Sequence, residues 1–189
     1  MKKLRHLALA AAAACIAASA QASVVVLNFD NPGFVIDNPD GSQTLVESGY
    51  ALSGPAFSFL PIDDNAGNGV IVGNGTPFSL QQVGGGLFSL RSLDYAFDPI
   101  FGQPAGDLSV IGLINGMQVA TRTLGLGPQA SAMFDNSWKS LTSVTFSATS
   151  GFSIDNIALV PEPGSLALVA LSLGALVASG RRAGAARAA

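Results

Sequence analysis

Cysteine and histidine are almost missing from this chain of 189 residues, which contains one of each. They stand near the N-terminus, as Cys15 and His6, so residues 23–160 contain neither. That segment has no residues for a disulfide, for a Ser-His-Asp or Cys-His nucleophile system, or for an ordinary zinc site. Its one glutamate is Glu47, so any pair of catalytic carboxylates would depend largely on aspartates. We therefore predict that residues 23–160 are not an enzyme.

Positive charge is also scarce between the two ends of the chain. Residues 23–160 contain three basic and eleven acidic side chains, a net charge of −8, whereas the whole chain has a net charge of −3. An acidic surface repels phosphate backbones, so we expect no nucleic-acid partner. Divalent cations are more suitable partners than nucleic acids for a domain with this many carboxylates.

The N-terminus has the three parts of a secretory signal peptide. The first five residues contain three basic side chains, residues 7–18 are apolar, and Ala20-Gln21-Ala22 has the small-residue pattern of a cleavage site. We predict that residues 1–22 are a signal peptide, that signal peptidase removes it, and that the exported chain begins at Ser23.

The C-terminus carries a second sorting pattern. Pro161-Glu162-Pro163 precedes an apolar run, residues 166–180, which ends at Arg181-Arg182 within a basic tail, residues 181–189. These parts, in this order, resemble the PEP-CTERM sorting signal of Gram-negative bacteria, and the resemblance covers residues 161–189. It implies processing by an exosortase in the inner membrane, then release or transfer to the cell surface. Residues 166–180 are expected to form one transmembrane helix, a transient anchor with the arginines on the cytoplasmic side.

Residues 23–160 consist of short β-branched and aromatic runs separated by Gly, Pro, Asn and Ser, with no sustained helical period. We predict one all-β domain, a two-sheet antiparallel β-sandwich whose strand order is jelly-roll-like rather than immunoglobulin-like. The predicted strands are Val24–Phe29, Gln43–Glu47, Ala56–Leu60, Gly69–Val72, Phe78–Val83, Phe88–Phe97, Leu108–Ile114, Met117–Leu124, Leu141–Ala148 and Gly151–Leu159.

Two local features of this sandwich can be predicted in detail. Asn115-Gly116 lies between two apolar runs and predicts a type I′ hairpin turn, because both residues tolerate positive φ. Within Phe88–Phe97 the alternation of apolar side chains slips at Arg91-Ser92, which predicts a β-bulge there.

The two ends of the domain resemble the flanking strands of jelly-roll carbohydrate-binding modules. The resemblance is carried by Val26-Leu27-Asn28-Phe29-Asp30 at the start and by residues 151–159 at the finish, while Trp138 with residues 141–146 is similar to the penultimate strand of such domains. In that family the first and last strands commonly hold a structural calcium ion. The resemblance implies Asp30 and Asp155 as its ligands here.

The calcium prediction has a plain alternative. Ca²⁺ takes about six to eight oxygen ligands, so Asn28, Asn31 or Asn156 would have to add oxygens to the two carboxylates. Otherwise Asp30 simply begins a turn and Asp155 caps a strand.

Trp138, the only tryptophan, also allows two interpretations. An exposed indole would be a ligand-binding platform, since the C–H faces of sugars are apolar and stack on aromatic rings. The alternative is that Trp138 packs in the core. The two acidic loops, residues 37–41 and 63–68, are predicted to be solvated turns, because neither has the spacing of an EF-hand.

The sorting signals imply an exported, exosortase-processed protein of the cell surface or of the extracellular exopolysaccharide layer. The missing catalytic side chains indicate a non-enzymatic domain, and our leading hypothesis is that this domain binds polysaccharide weakly. One alternative is a purely structural acidic adhesin or biofilm protein, stiffened by calcium. A second alternative is an aspartate-based carbohydrate-active enzyme, which requires two aspartates facing each other across a cleft.

Overall fold

The computed structural model describes residues 23–30, 33–63, 68–101 and 106–162. The predicted signal peptide, the acidic residues 64–67 and the chain from Pro163 onward, with its predicted transmembrane helix and basic tail, lie outside the described residues, as does Asn31. In the part of the chain that is described, no helix has the length and hydropathy needed to cross a membrane. The compact unit runs from Ser23 to Pro161.

The described residues form strands joined by turns and two short 3-10 segments, Pro99–Phe101 and Asn136–Trp138. In chain order the strands are β1 (Val25–Leu27), β2 (Ile36–Asp37), β3 (Ser42–Glu47), β4 (Tyr50–Pro55), β5 (Phe59–Asp63), β6 (Gly69–Gly73), β7 (Phe78–Gln82), β8 (Phe88–Phe97), β9 (Asp107–Ile114), β10 (Met117–Gly125), β11 (Ala130–Met133), β12 (Ser143–Ala148) and β13 (Phe152–Pro161).

These strands form two antiparallel sheets. The six-stranded sheet has the order β11-β8-β13-β6-β5, with β1 also paired to β13, and the seven-stranded sheet has the order β10-β9-β12-β7-β4-β3-β2. From β6 to β13 nearly every connection passes from one sheet to the other. The predicted all-β, two-sheet antiparallel sandwich is confirmed, and its jelly-roll strand order stays a prediction.

The core fills the space between the two sheets. In β12 the side chains of Val144 and Phe146 are buried, while Thr145 between them faces outward, as a period of two requires. All members of the core cluster lie between Leu27 and Leu159. We therefore expect residues Ser23–Pro161 to fold on their own.

Both local predictions are confirmed. Asn115 and Gly116 join β9 to β10 with φ angles of 50° and 80°. In the pairing of β8 with β13, Ser92 faces Ala158 and Leu90 faces Leu159, so Arg91 is the extra residue of a bulge. The bulge explains the slipped alternation, because it turns both Leu90 and Leu93 toward the core.

Three strands, β2, β4 and β11, were not predicted, and the predicted strand Ala56–Leu60 is wrong in its first half. Residues 56–58 form the turn between β4 and β5. Gly54 and Pro55 indicate a turn in sequence, yet they end β4. Glycine is needed there because a Cβ on Gly54 would lie 2.7 Å from the Phe78 Cβ.

Candidate functional sites

The first and last strands pair with each other, and this pairing brings the acidic residues near their ends to one region. Val25 faces Leu159 and Leu27 faces Ile157 across the β1–β13 pair. After Leu27 the chain turns toward β6, where the Asp30 Oδ1 atom accepts a hydrogen bond of 3.2 Å from the backbone N–H of Gly69. Asp30 therefore lies beside the first residue of β6, an interior strand of the six-stranded sheet.

Asp155 has an aspartate directly opposite it on the next strand. Asp155 of β13 faces Asp94 of β8, and the side-chain amide of Asn156 donates to Oδ2 of each, at 3.0 Å in both cases. Asn156 has a φ of 47° and lies at a second register shift, where two residues of β13 oppose Leu93. Like charges in this position oppose strand pairing, and the shared amide donor offsets part of that cost.

Glu47 connects this region to the other sheet. It is the last residue of β3, and its Oε1 accepts from the backbone N–H groups of Asn28 at 3.2 Å and Phe29 at 3.3 Å. Its Oε2 is buried and has no hydrogen-bond partner. A buried carboxylate oxygen without a hydrogen-bond partner destabilises the folded state, and a bound proton or cation would offset that cost. We name Asp30, Glu47, Asp94 and Asp155 the acidic cluster.

The pKa values of Asp155 and Glu47 show that the negative charge around these two carboxyl groups is poorly compensated. Burial raises the pKa of Asp155 to about 6, and the negative charges of Asp30, Asp94 and Glu47 act in the same direction. Burial also raises the pKa of Glu47, and the charge of Asp30 adds to that effect. Positive charge placed here would stabilise the folded state.

The cluster suits calcium in its charge, but it is not a complete carboxylate cage. Within the described ranges, no three Asp, Glu, His or Cys side chains are placed to hold a metal ion together. Asp155 Oδ1 accepts from the Asn156 N–H at 2.6 Å, and Asp30 Oδ2 accepts from the Asn28 side chain at 2.5 Å. A calcium site here would combine two carboxylates with amide and main-chain oxygens, the mixture predicted from the sequence.

Trp138 does not form an exposed platform. Its side chain is only 4% exposed and packs edge-on against Phe134, with ring centroids 4.6 Å apart. Asp135 caps the 3-10 turn that holds it, through a bond of 2.8 Å from the Ser137 N–H to Oδ1. The indole face is thus closed to a sugar ring, and the packing interpretation describes its position.

The outer face of the seven-stranded sheet has a row of uncharged side chains, all of them Ser or Thr except Ile111, that the sequence did not reveal. The row runs across six strands and consists of Thr44, Ser53, Ser79, Thr145, Ile111 and Thr121. Hydroxyl oxygens are 3.2 Å apart in the pair Thr44–Ser53 and 2.9 Å apart in the pair Ser79–Thr145. None of the six side chains carries a charge. We name this row the hydroxyl face.

The facing pair of aspartates in the six-stranded sheet does not have the arrangement that the enzyme alternative requires. Asp94 and Asp155 are direct cross-strand neighbours on one sheet rather than partners across a cleft. The depression that they line with Val70 and Tyr95 has a volume of 140 Å³. Ligand pockets usually measure about 300–1,000 Å³, so this depression cannot enclose a sugar chain.

The predicted sorting motif begins where the sandwich ends. Pro161 is the last residue of β13 and faces Phe88 of β8. Glu162 follows outside the strand, while Pro163, Arg181 and Arg182 lie outside the described residues. The last strand therefore includes the first residue of the predicted motif.

No protein-family model matches the chain, and no curated protein matches it in sequence. Among solved structures it is similar to TmCBM61, a carbohydrate-binding module in complex with β-1,4-galactotriose, at 10% identity and a TM-score of 0.34, over 61% of this chain and 86% of that one. It is also similar to the CBM22-2 xylan-binding domain of Paenibacillus barcinonensis Xyn10C, at 12% identity and a TM-score of 0.31, over 72% of this chain and 98% of that domain.

A third similar structure contains the CBM22-1 and GH10 modules of endo-1,4-β-D-xylanase 10B from Clostridium thermocellum, with xylohexaose bound. The identity is 16% and the TM-score 0.35, over 76% of this chain and 29% of that one. All three likenesses are distant, and the two-sheet fold described above rests on the strand pairing of this chain.

Proposed function

We propose that this chain is an exported, exosortase-processed protein of the cell surface or extracellular matrix, whose β-sandwich is not an enzyme and binds polysaccharide weakly. Signal peptidase would remove residues 1–22, and the helix at residues 166–180 would anchor the protein until the exosortase acts near Pro161-Glu162-Pro163. The end of β13 at Pro161 supports this order, because cleavage beyond that residue leaves the sandwich intact.

The observation that carries the polysaccharide proposal is the hydroxyl face. Serine and threonine hydroxyls both donate and accept hydrogen bonds, as the hydroxyls of sugars do. The row extends across six strands and is uncharged on a domain whose net charge is −8, so it can approach an extended polysaccharide without repelling it. It contains no aromatic ring for stacking, which is why we propose weak binding.

Fractionation of the full chain tests both parts of this function. In a Gram-negative host that has an exosortase, we expect the wild-type protein in the polysaccharide-rich matrix fraction. A Thr145→Asp variant places a charge and its hydration shell at the centre of the hydroxyl face, so it should be exported equally but recovered from the medium. Thr145→Asn, which is similar in size and neutral, should remain with the matrix.

Each part of the proposal can fail separately in this experiment. Wild-type protein that stays in the cytoplasm or inner membrane would contradict the export route. Equal matrix retention of the Thr145→Asp variant and the wild type would leave export standing but exclude the hydroxyl face as the binding surface.

The acidic cluster favours a second candidate function, a structural acidic adhesin or biofilm protein stiffened by calcium. For this role we propose that Asp30 and Asp155 bind a structural calcium ion, with amide or main-chain oxygens completing the site. The unpartnered Glu47 Oε2 and the raised pKa of Asp155 support the proposal, because both reflect uncompensated negative charge. Calcium-dependent stability without matrix retention would favour this function over the first.

Calcium and protons should substitute for one another at this cluster. The pKa of Asp155 is raised from 3.8 to about 6, so the folded state binds its proton more tightly than the unfolded state does. Ionisation of Asp155 therefore lowers the free energy of unfolding as the pH rises from 3.8 to about 6. In EDTA, we expect a higher thermal midpoint for residues 23–161 at pH 4.5 than at pH 7.5. Millimolar calcium should raise the midpoint at pH 7.5 and have little effect at pH 4.5.

Two variants separate this effect from the general titration of an acidic protein. Asp155→Asn keeps the shape of the side chain but cannot ionise, so its midpoint should fall less with pH and should not respond to calcium. Asp37→Asn changes an exposed residue of β2 and should behave as the wild type does. An unchanged calcium response in the Asp155→Asn variant would exclude this site.

A further inference from the structure

Phe57 has a backbone conformation that large residues rarely adopt. The turn between β4 and β5 is closed by a hydrogen bond of 3.0 Å from the Ser58 N–H to the Pro55 carbonyl, and Phe57 is its third residue, with a φ of 61°. Turns with positive φ at the third position favour glycine or asparagine, because a Cβ is crowded there. Phenylalanine is thus a poor choice for the turn itself.

The surrounding structure holds Phe57 firmly in this conformation. Gln43 is only 2% exposed, and its Oε1 accepts from the Phe57 N–H at 2.7 Å while its Nε2 donates to the Phe59 carbonyl at 2.6 Å. The side-chain amide of Asn74 donates to the Phe57 carbonyl at 3.0 Å. Both main-chain polar groups of Phe57 are therefore fixed by side chains from other parts of the sandwich.

Packing of the aromatic ring does not explain the residue. The Phe57 side chain is 74% exposed, so it gains little from burial. Among the described residues, the non-glycine residues with positive φ are Phe29, Ser48, Phe57, Asn115, Ser140 and Asn156. Four of these are small polar residues, and Phe29 is fully buried in the core. Phe57 is the large residue of this set that combines positive φ with an exposed ring.

We propose that the Phe57 ring is a binding platform that stacks on the apolar C–H face of one sugar unit of a polysaccharide. A residue that adopts an unfavourable backbone conformation without stabilising the folded state is typical of a functional site. The platform has neutral hydrogen-bonding neighbours, since Asn74 contacts the Phe57 carbonyl and accepts from the Thr76 N–H at 2.8 Å. A membrane surface is disfavoured, because a domain with a net charge of −8 is repelled by anionic lipids.

This inference rests on the proposed polysaccharide function. Affinity electrophoresis of residues 23–161, in gels that contain dissolved xylan, β-1,4-galactan or alginate, tests it. At least one polysaccharide should retard the wild type. Phe57→Asn should weaken that retardation about tenfold in dissociation constant, as the loss of one stacking contact would. Its thermal midpoint should equal or exceed that of the wild type, because asparagine tolerates the turn conformation.

Phe34→Asn is the matched control, since Phe34 is 95% exposed and does not have a positive φ. It should bind as the wild type does. Wild-type affinity in the Phe57→Asn variant, or a clearly lowered midpoint that reveals a packing role, would overturn the platform and leave the wider function standing. No retardation of the wild type by any of the three polysaccharides would overturn both.

Discussion

Replacing Gly69 with alanine is expected to lower the free energy of unfolding by about 4 kcal/mol, near the upper end for single substitutions. A Cβ on Gly69 would lie 1.6 Å from the Phe29 carbonyl oxygen and 2.3 Å from its carbon. These are backbone atoms, so the contact can be relieved only by separating the chain segment that follows β1 from the start of β6. Urea unfolding of residues 23–161 would measure the loss.

The effect should extend to the acidic cluster. The Gly69 N–H donates to Asp30, and the Phe29 N–H donates to Glu47, so a displaced Phe29 separates these carboxylates. We expect the Gly69→Ala variant to lose any stabilisation by calcium as well. Gly127→Ala is the control, because no heavy atom lies within 4 Å of the added Cβ. It should change stability by no more than about 0.5 kcal/mol. Wild-type stability in the Gly69→Ala variant would contradict the close approach of the Phe29 carbonyl group to Gly69.

Features specified by neighbouring residues could be predicted from the sequence. The bounds of β8, the Asn115-Gly116 turn and the bulge at Arg91 depend on local alternation and turn chemistry, and the structure has all three. Strand β11 could not be predicted in this way, since Ala130–Met133 contains no β-branched residue. It becomes a strand because it pairs with β8, and the sequence of residues 130–133 alone does not predict that contact.

The residues of the candidate sites show the same difference between features set by neighbouring residues and features set by distant strand pairing. A family resemblance implied that Asp30 and Asp155 act together as calcium ligands, and the pairing of the first and last strands places the two carboxylates in one region. Glu47 and Asp94 were not expected there, because their positions depend on the register of strands that are distant in sequence. The hydroxyl face was missed for the same reason. Alternation turns Thr145 outward, but only the register aligns it with Ser79.

Replacing Phe78 with alanine should lower the free energy of unfolding by about 3–5 kcal/mol, the usual range for a buried phenylalanine. Phe78 belongs to the seven-stranded sheet, and its ring centroid lies 5.0 Å from that of Phe59 and 5.8 Å from that of Phe152, both in the six-stranded sheet. A third contact joins it to Phe146 at 5.6 Å. The substitution therefore removes aromatic contacts between the two layers and leaves a cavity between them.

The size of the loss depends on how far the two sheets can close over that cavity. Gly54 and Gly73 already lie against Phe78, and a Cβ on Gly73 would be 3.1 Å from the Phe78 ring, so the backbone has little room to approach further. Phe78→Leu, which retains much of the volume, should cost clearly less than Phe78→Ala in urea unfolding. Phe34→Ala, at a 95% exposed position, should cost no more than about 0.5 kcal/mol. A loss below about 1 kcal/mol in Phe78→Ala would mean that the sheets are not joined through this ring.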